Sequence, residues 1–295
     1  MTEILAEELS EQDLSQAAPG FHMPQLNLET DAERMAHHIR LAILEQSKRA
    51  HVGHIGSALS IADILATLYC GAMRLPSPED PERDRLVLSK GHAALALYSA
   101  LHLIGWMTKE QLDTYCADAS LLGVHPERDL SGIDFTTGSL GHGLALGAGA
   151  ALAARMQKSD RKVFVVLSDA ECNEGSVWES AMFAGQHRLA NLIAIIDLNG
   201  QQALGYTNEV LDLSPMASHW QSFKWDVHEV DGHDIPAMAK TIESLDTTGG
   251  RPHVLIARTT FGKGVSYMQS QIKWHYMPMS DDEYSQAVDE VEGRA

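Results

Sequence analysis

Val163-Phe-Val-Val-Leu-Ser-Asp169-Ala-Glu171 is answered about thirty residues later by Leu192-Ile-Ala-Ile-Ile-Asp197-Leu-Asn199-Gly200. Each begins as a strand-like apolar run, and Ser176 to Leu189 between them reads as a helix. A strand, a crossover helix and a parallel strand form a right-handed unit whose ligands gather beyond the carboxyl ends of the strands. Neighbouring strands sit about 4.8 Å apart. Asp169 and Asn199, each two or three residues past a strand end, are therefore close enough to hold one small cation between them. One carboxylate with neutral oxygens, leaving room for waters or phosphates, suits Mg²⁺ better than Zn²⁺. Spacing alone leaves a second reading open, two ordinary strand ends with a helix-capping Asp.

The chain has 295 residues, 44% of them hydrophobic, enough for a packed core in one large domain or two small ones. Helical patterns alternate with short Val/Ile/Leu runs, which predicts an α/β fold: a doubly wound, mainly parallel sheet with helices on both faces. A formal charge of −18 argues against nucleic acid and anionic membrane as partners, since both need a cationic footprint. It leaves a phosphorylated ligand open, because a metal and backbone amides neutralise a diphosphate locally. Cys70, Cys116 and Cys172 make an odd, sparse set without a Cys-x-x-Cys pair, which suggests a reducing compartment. Cys172 sits beside Glu171, whose charge disfavours a thiolate, so it reads poorly as a nucleophile. No run of apolar residues is read as long enough to span a bilayer, and no signal peptide is apparent, so a cytoplasmic location is expected.

Residues 1–30 hold acidic side chains but no Lys or Arg, and read as an acidic arm or tail. A single domain is expected over residues 31–280, with residues 281–295 as an acidic tail or short exposed helix. Asp31 caps a helix to about Ala50, with Met35, Ile39, Ala42 and Ile43 at helical spacing. Further helices are predicted over Ser60–Tyr69, Ala93–Ile104, Lys109–Tyr115, His142–Met156, Ser214–Phe223 and Ile235–Leu245. Strands are predicted at Arg85–Leu88, Asp226–Val230 and His253–Arg258. His142–Met156 is crowded with Ala and Gly, which lets a helix pack close to its neighbours.

Several of the fifteen histidines stand beside glycine in loops: His51-Val-Gly-His54-Ile-Gly56, Ser89-Lys-Gly-His92 and Trp274-His275, with Val124-His125-Pro in an irregular stretch. A parallel sheet brings the carboxyl ends of its strands to one crevice. Imidazoles gathered there can bond phosphate or exchange protons with a carbonyl-bearing substrate near neutral pH. Gly141-x-Gly143-x-x-x-Gly147 raises a dinucleotide fingerprint as an alternative. That motif needs a strand immediately upstream, and Ile133-Asp-Phe-Thr-Thr is a poor one.

Ser168-Asp169-Ala170 … Asn199 resembles the Gly-Asp-Gly … Asn metal–diphosphate motif of thiamine-diphosphate enzymes, with both glycines replaced. A Cβ at 168 and 170 crowds the diphosphate or restricts the turn. Ser168-Asp-Ala-Glu-Cys-Asn-Glu-Gly-Ser-Val-Trp-Glu179 is similar to the segment found in transketolases, above all their separately encoded N-terminal subunits. Thr136-Thr-Gly-Ser-Leu-Gly-His-Gly143 resembles that family's cofactor loop, with His142 where Gln is usual. The resemblance runs from about Ala36 to Tyr276.

This resemblance implies thiamine diphosphate and Mg²⁺, with Ca²⁺ or Mn²⁺ as substitutes, as cofactors. It assigns Asp169, Asn199 and the Gln201 carbonyl to the metal. It assigns His51, His92, Gly138, Leu140, Asp169, Ala170, Glu171, Asn199 and His275 to cofactor binding. His54, His92, His125 and His275 become the catalytic set. The implied activity is transfer of a two-carbon ketol unit from a ketose, or its phosphate, to an aldose. Full-length members carry a pyrimidine domain whose Glu activates the cofactor, and this sequence shows no counterpart. A separate C-terminal subunit is therefore the expected partner, in an α2β2 assembly. Alternatives are a related subunit recruited to a specialised sugar or natural-product pathway, a 2-oxo acid dehydrogenase α-type subunit, or a non-catalytic regulatory or scaffold subunit.

Overall fold

A computed structural model describes residues 28–294 of the chain; the acidic arm lies outside these, except that Leu28 already opens the first helix. Leu28–Ala50 forms α1, Ile55–Leu59 α2 and Ala62–Thr67 α3, followed by a π-helical turn at Leu68–Ala72. Next come β1 (Arg85–Leu88), α4 (Ala94–Leu103), α5 (Lys109–Leu112) and, after an irregular stretch, α6 (Gly143–Met156). The central unit is β2 (Val163–Ser168), α7 (Gly175–Gln186) and β3 (Leu192–Leu198). A small hairpin of β4 (Gln201–Gln202) and β5 (Gly205–Tyr206) leads through α8 (Thr207–Val210) and α9 (Met216–Ser222) to β6 (Asp226–Asp231). Then follow α10 (Ile235–Glu243), β7 (His253–Arg258), α11 (Lys273–Tyr276) and α12 (Asp281–Val291).

Five strands pair in parallel in the order β1-β2-β3-β7-β6. Because strand side chains alternate, the sheet feeds two cores. Phe164, Val166, Ile193, Ile195 and Leu255 face a cluster holding Ile39 of α1, Leu65 of α3 and Leu97 of α4. Val163, Val165, Leu167, Ala194 and Ile256 face the other, with Leu144 of α6, Val177 of α7 and Trp220 of α9. A strand buried on both faces must be apolar throughout, which is why β2 and β3 read as continuous runs. Parallel pairing brings Ser89, Asp169, Asn199 and Thr259, all just past strand ends, to one edge of the sheet.

The predicted helix Ser60–Tyr69 begins earlier, at Ile55, and is broken into α2, α3 and the π-turn, which contains Gly71 at φ 151°. The same stretch corrects the reading that no apolar run is long enough for a bilayer. Ile55–Ala72 is long and apolar enough to cross one, but 89% of it is buried inside the protein. The predicted helix Lys109–Tyr115 stops at Leu112. Ile133–Thr137 is not a strand, so the dinucleotide fingerprint lacks its required context. The acidic end forms α12, with a capping box at Ser280 and Glu283, and it packs on the core through Ala287 and Val288.

The crowding of Ala and Gly has a visible use. A Cβ at Gly147 of α6 would stand 2.3 Å from Val165 Cγ2, and one at Gly185 of α7 would stand 1.9 Å from the Phe223 carbonyl oxygen. The obstacle at Gly185 is backbone, which cannot swing aside. Gly185→Ala should therefore lower stability by about 2 kcal/mol even after the ~1 kcal/mol helical advantage of Ala. Urea unfolding checks this: the midpoint should fall, and an unchanged or raised midpoint would contradict the packing.

Candidate active site at the carboxyl edge of the sheet

At the centre of this edge lies an ion pair with no solvent exposure on either side chain, Lys90 Nζ to Asp197 Oδ2 at 2.5 Å. Burying two charges is unfavourable unless further hydrogen bonds compensate. Here they do. Asp197 also accepts from Ser60 Oγ at 2.7 Å, from Asn199 Nδ2 at 2.8 Å and from Thr259 Oγ1. Lys90 also donates to the Ser57 carbonyl at 3.0 Å. One pair thus ties the α2 segment to the ends of β1, β3 and β7. Sequence reading missed both residues. A Lys wedged between strand-end Ser89 and Gly91, and an Asp ending a run of buried residues, were the available signals.

Asp169 is 3% exposed. Its Oδ1 accepts from the Ala170 N–H at 2.9 Å and its Oδ2 from the Gly200 N–H at 2.8 Å, the β2–β3 link that sequence spacing predicts. Burial first, and then the charge of Asp197, push its carboxyl up to about 7. Asp169 forms no ion pair with a cationic side chain among the described residues. Asn199 is held with its amide nitrogen on Asp197 and its Oδ1 near the Gln201 N–H, at 2.9 Å. Gln201 Oε1 is buried and has no hydrogen-bond partner among the described residues. A buried carboxylate lacking a counter-charge, with amide oxygens alongside, fits a hard divalent cation. No cluster of three or more His, Cys, Asp or Glu capable of holding a metal occurs among the described residues. The oxygen-rich, single-carboxylate set is thus the one that spacing and resemblance suggest.

The replaced glycines cost the turn nothing. Neither Ser168 nor Ala170 is among the residues with positive φ. Ser168 Oγ accepts the Glu171 N–H at 3.1 Å, so its side chain closes the turn rather than straining it.

Three of the predicted histidines meet. Ring centroids are 5.4 Å apart for His54–His92, 5.0 Å for His54–His275 and 5.5 Å for His92–His275. Backbone contact sets this convergence: the His54 N–H donates to the His275 carbonyl, and a Cβ at Gly53 would stand 2.4 Å from the Tyr276 oxygen. His54 itself sits in the left-handed region at φ 61°, a strained conformation typical of functional sites. His92 Nε2 lies 2.8 Å from Ser57 Oγ, and His54 Nδ1 is buried without a partner among the described residues. His92 is held well below its ordinary value by burial and then by Lys90. Burial, then His125 and Lys90, lowers His54; burial, then His54 and Lys90, lowers His275 to about 4. The three rings are neutral at pH 7.

His125 packs against Gly138, where a Cβ would come within 3.1 Å of its ring. A Cβ on Gly91 would likewise stand 2.9 Å from the Gly138 N, so the two glycine loops touch backbone to backbone. Leu140 is half-buried on the same loop, and His142 is exposed. His51, also with positive φ, is exposed, and its ring joins no other ring contact among the described residues. Glu171 is fully buried, and its carboxylate accepts from Ser89 Oγ, from the Gly141 N–H at 2.8 Å and from the Ser168 N–H at 3.4 Å. Its side chain thus ties the Gly141 loop to the ends of β1 and β2. Cys172 is fully buried, and burial raises its thiol well above the ordinary value, so it is no nucleophile. A cavity of about 300 Å³ lined by Asp169, Leu198, Thr207 and Arg258 opens next to the carboxylate.

Residues 31–291 match the family description "Transketolase, thiamine diphosphate binding domain". The chain is 43% identical over 257 residues to an apulose-4-phosphate transketolase subunit of Phocaeicola vulgatus, covering 86% of this chain and 92% of that one. It is 40% identical to a 6-deoxy-6-sulfo-D-fructose transketolase subunit of Clostridium sp. strain MSTE9, covering 89% of this chain and 96% of that one. Among solved structures, the Pichia stipitis transketolase in complex with sedoheptulose-7-phosphate superposes with a TM-score of 0.84 at 31% identity, covering 90% of this chain but 41% of that one. The chain spans under half the length of that solved protein.

The neutral imidazoles generate a pH prediction. An unfolded histidine titrates near 6.5, whereas native His275 is held to about 4. Its contribution to stability is fully present above about pH 6.5 and is lost as pH falls towards 4, because only the unfolded ring takes up a proton. His275→Gln should flatten the decline in stability between about pH 6.5 and 5 by up to one proton's worth of slope. Urea unfolding at stepped pH measures it, and identical slopes for variant and wild type would contradict the assignment.

Proposed function

This chain belongs to the transketolase family, and on that premise we propose that it is the N-terminal, cofactor-binding subunit of a split transketolase. The observation carrying this reading is the buried Asp169, which forms no ion pair among the described residues and accepts from the Gly200 N–H between Asn199 and Gln201, together with three histidines that face one another. Relatives named as individual transketolase subunits are matched over almost their whole length, which supports a separately encoded partner. They do not favour the 2-oxo acid dehydrogenase or scaffold readings.

Asp169, Asn199 and the Gln201 carbonyl hold Mg²⁺, for which Ca²⁺ or Mn²⁺ can substitute. His92 and His275 bond the diphosphate, and backbone at Gly138, Leu140 and Ala170 borders it. When bound, thiamine diphosphate supplies an electron sink for breaking and remaking a carbon–carbon bond next to a carbonyl. His54 and His125 face the reacting sugar, with His51 at the rim. A neutral imidazole keeps one N–H to donate and one nitrogen to accept, so His54 can steer hydroxyls and move protons without adding charge. Burial keeps His54, His92 and His275 neutral, and the field of Lys90 adds to it. Sugar phosphates are the substrates: one ketose gives up a two-carbon unit and one aldose receives it. The partner chain supplies the pyrimidine-side carboxylate, and two copies of each chain form the assembly, since twofold closure makes two equivalent sites. Three free cysteines accord with a cytoplasmic location.

In a ketol-transfer assay, this polypeptide alone should show no turnover, and activity should appear on co-expression with the partner. Robust turnover by the isolated chain would refute the division of labour. In the reconstituted complex, Asp169→Ala removes the single anionic protein oxygen from the cation. Thiamine diphosphate affinity by isothermal titration should fall at least tenfold, about 1.4 kcal/mol, with a smaller loss for Asn199→Ala. Wild-type affinity in Asp169→Ala with an unchanged Mg²⁺ requirement would remove the site.

A further inference from the structure

The amino ends of the strands, opposite the histidines, border a second cavity of about 560 Å³. Its walls carry Arg74, Arg155, Lys162 and Arg188 against Asp84 and Asp160, in a chain whose formal charge is −18. Asp160 is already ion-paired with Arg74 at 2.9 Å. Asp84 is 1% exposed, and its carboxylate accepts from the main-chain N–H groups of Arg74 and Lys162 at 2.8 and 2.7 Å. Arg155 donates to the His187 carbonyl. Arg155, Lys162 and Arg188 form no direct ion pair with a carboxylate among the described residues, although the charge of Lys162 reaches Asp160.

Helix C-termini attract cations, which accounts for Arg155 in the last turn of α6 and for Arg188 just past α7. It does not account for Lys162, which immediately precedes β2. Arg188 is moreover held in the left-handed region at φ 52°. Cationic side chains outnumber carboxylates in this wall, so it carries a net positive charge that favours an anion. The volume falls in the range of small-molecule sites.

We propose that this cavity binds a small phosphorylated anion at a site separate from the carboxyl edge. The recognised chemistry is the phosphoryl group, whether of a diphosphate or of a sugar bisphosphate. Two probes separate these sources, inorganic pyrophosphate and a hexose bisphosphate, titrated calorimetrically into the full chain without divalent cations. Binding of at least one probe should weaken tenfold or more in Lys162→Gln/Arg188→Asn and should weaken as salt is raised. It should persist in His92→Ala, which disables the opposite edge. Asn tolerates the left-handed backbone at 188, and thermal melting of the double variant should match wild type. If it melts lower, Arg188→Asn alone serves, with at least threefold weakening expected. Failure of both probes to bind wild type, wild-type affinity in the charge variants, or loss of binding in His92→Ala would overturn the proposal.

Discussion

The buried Lys90–Asp197 pair is the constraint on which the carboxyl edge depends. Its two partners come from the ends of β1 and β3, and its additional hydrogen bonds reach Ser57 and Ser60 around α2, Asn199, and Thr259 past β7. Such a pair has little to recommend it for stability alone, because desolvation offsets most of the attraction. What it supplies here is position. Asn199 is turned with its nitrogen donating to Asp197, which leaves its oxygen to accept from the Gln201 N–H.

The pair also sets the electrostatics of the site. Lys90 adds to the burial that keeps His54, His92 and His275 neutral, and Asp197 adds to the burial that raises Asp169. The edge is therefore divided. One part is a set of uncharged imidazoles suited to hydroxyl and phosphate oxygens. The other is a carboxylate whose ionised form lacks a counter-charge until a cation arrives. Glu171 supports both from below, with Ser89 and Gly141 on its carboxylate and Ser168 on its main chain.

Much of this was legible in the sequence, for a physical reason. β2 and β3 are buried on both faces, so they read as unbroken apolar runs, and parallel pairing then dictates that Asp169 and Asn199 end up neighbours. Glycine-flanked histidines at strand ends declared the second half of the site, because close backbone approach at Gly53, Gly91 and Gly138 leaves no room for a Cβ. The hub was not legible. A Lys and an Asp separated by more than a hundred residues announce no pairing, and only the tertiary fold brings them together. Helix breaks in Ile55–Ala72 were also hidden, since a largely apolar stretch buried on nearly all sides shows little periodicity to interrupt. Residues 281–295 read as a tail or short exposed helix because acidic residues dominate; the helix forms, and the small face that docks α12 rests on Ala287 and its neighbours.

Anomalous diffraction from crystals of the assembled enzyme soaked with Mn²⁺ and thiamine diphosphate tests the account most directly. The account predicts an anomalous peak bonded to Asp169, to Asn199 Oδ1 and to the Gln201 carbonyl, at about 2.0–2.2 Å. It also places the diphosphate against that ion and within hydrogen-bond reach of His92. A peak elsewhere, or a bound diphosphate with Asp169 still lacking a cation, would contradict it.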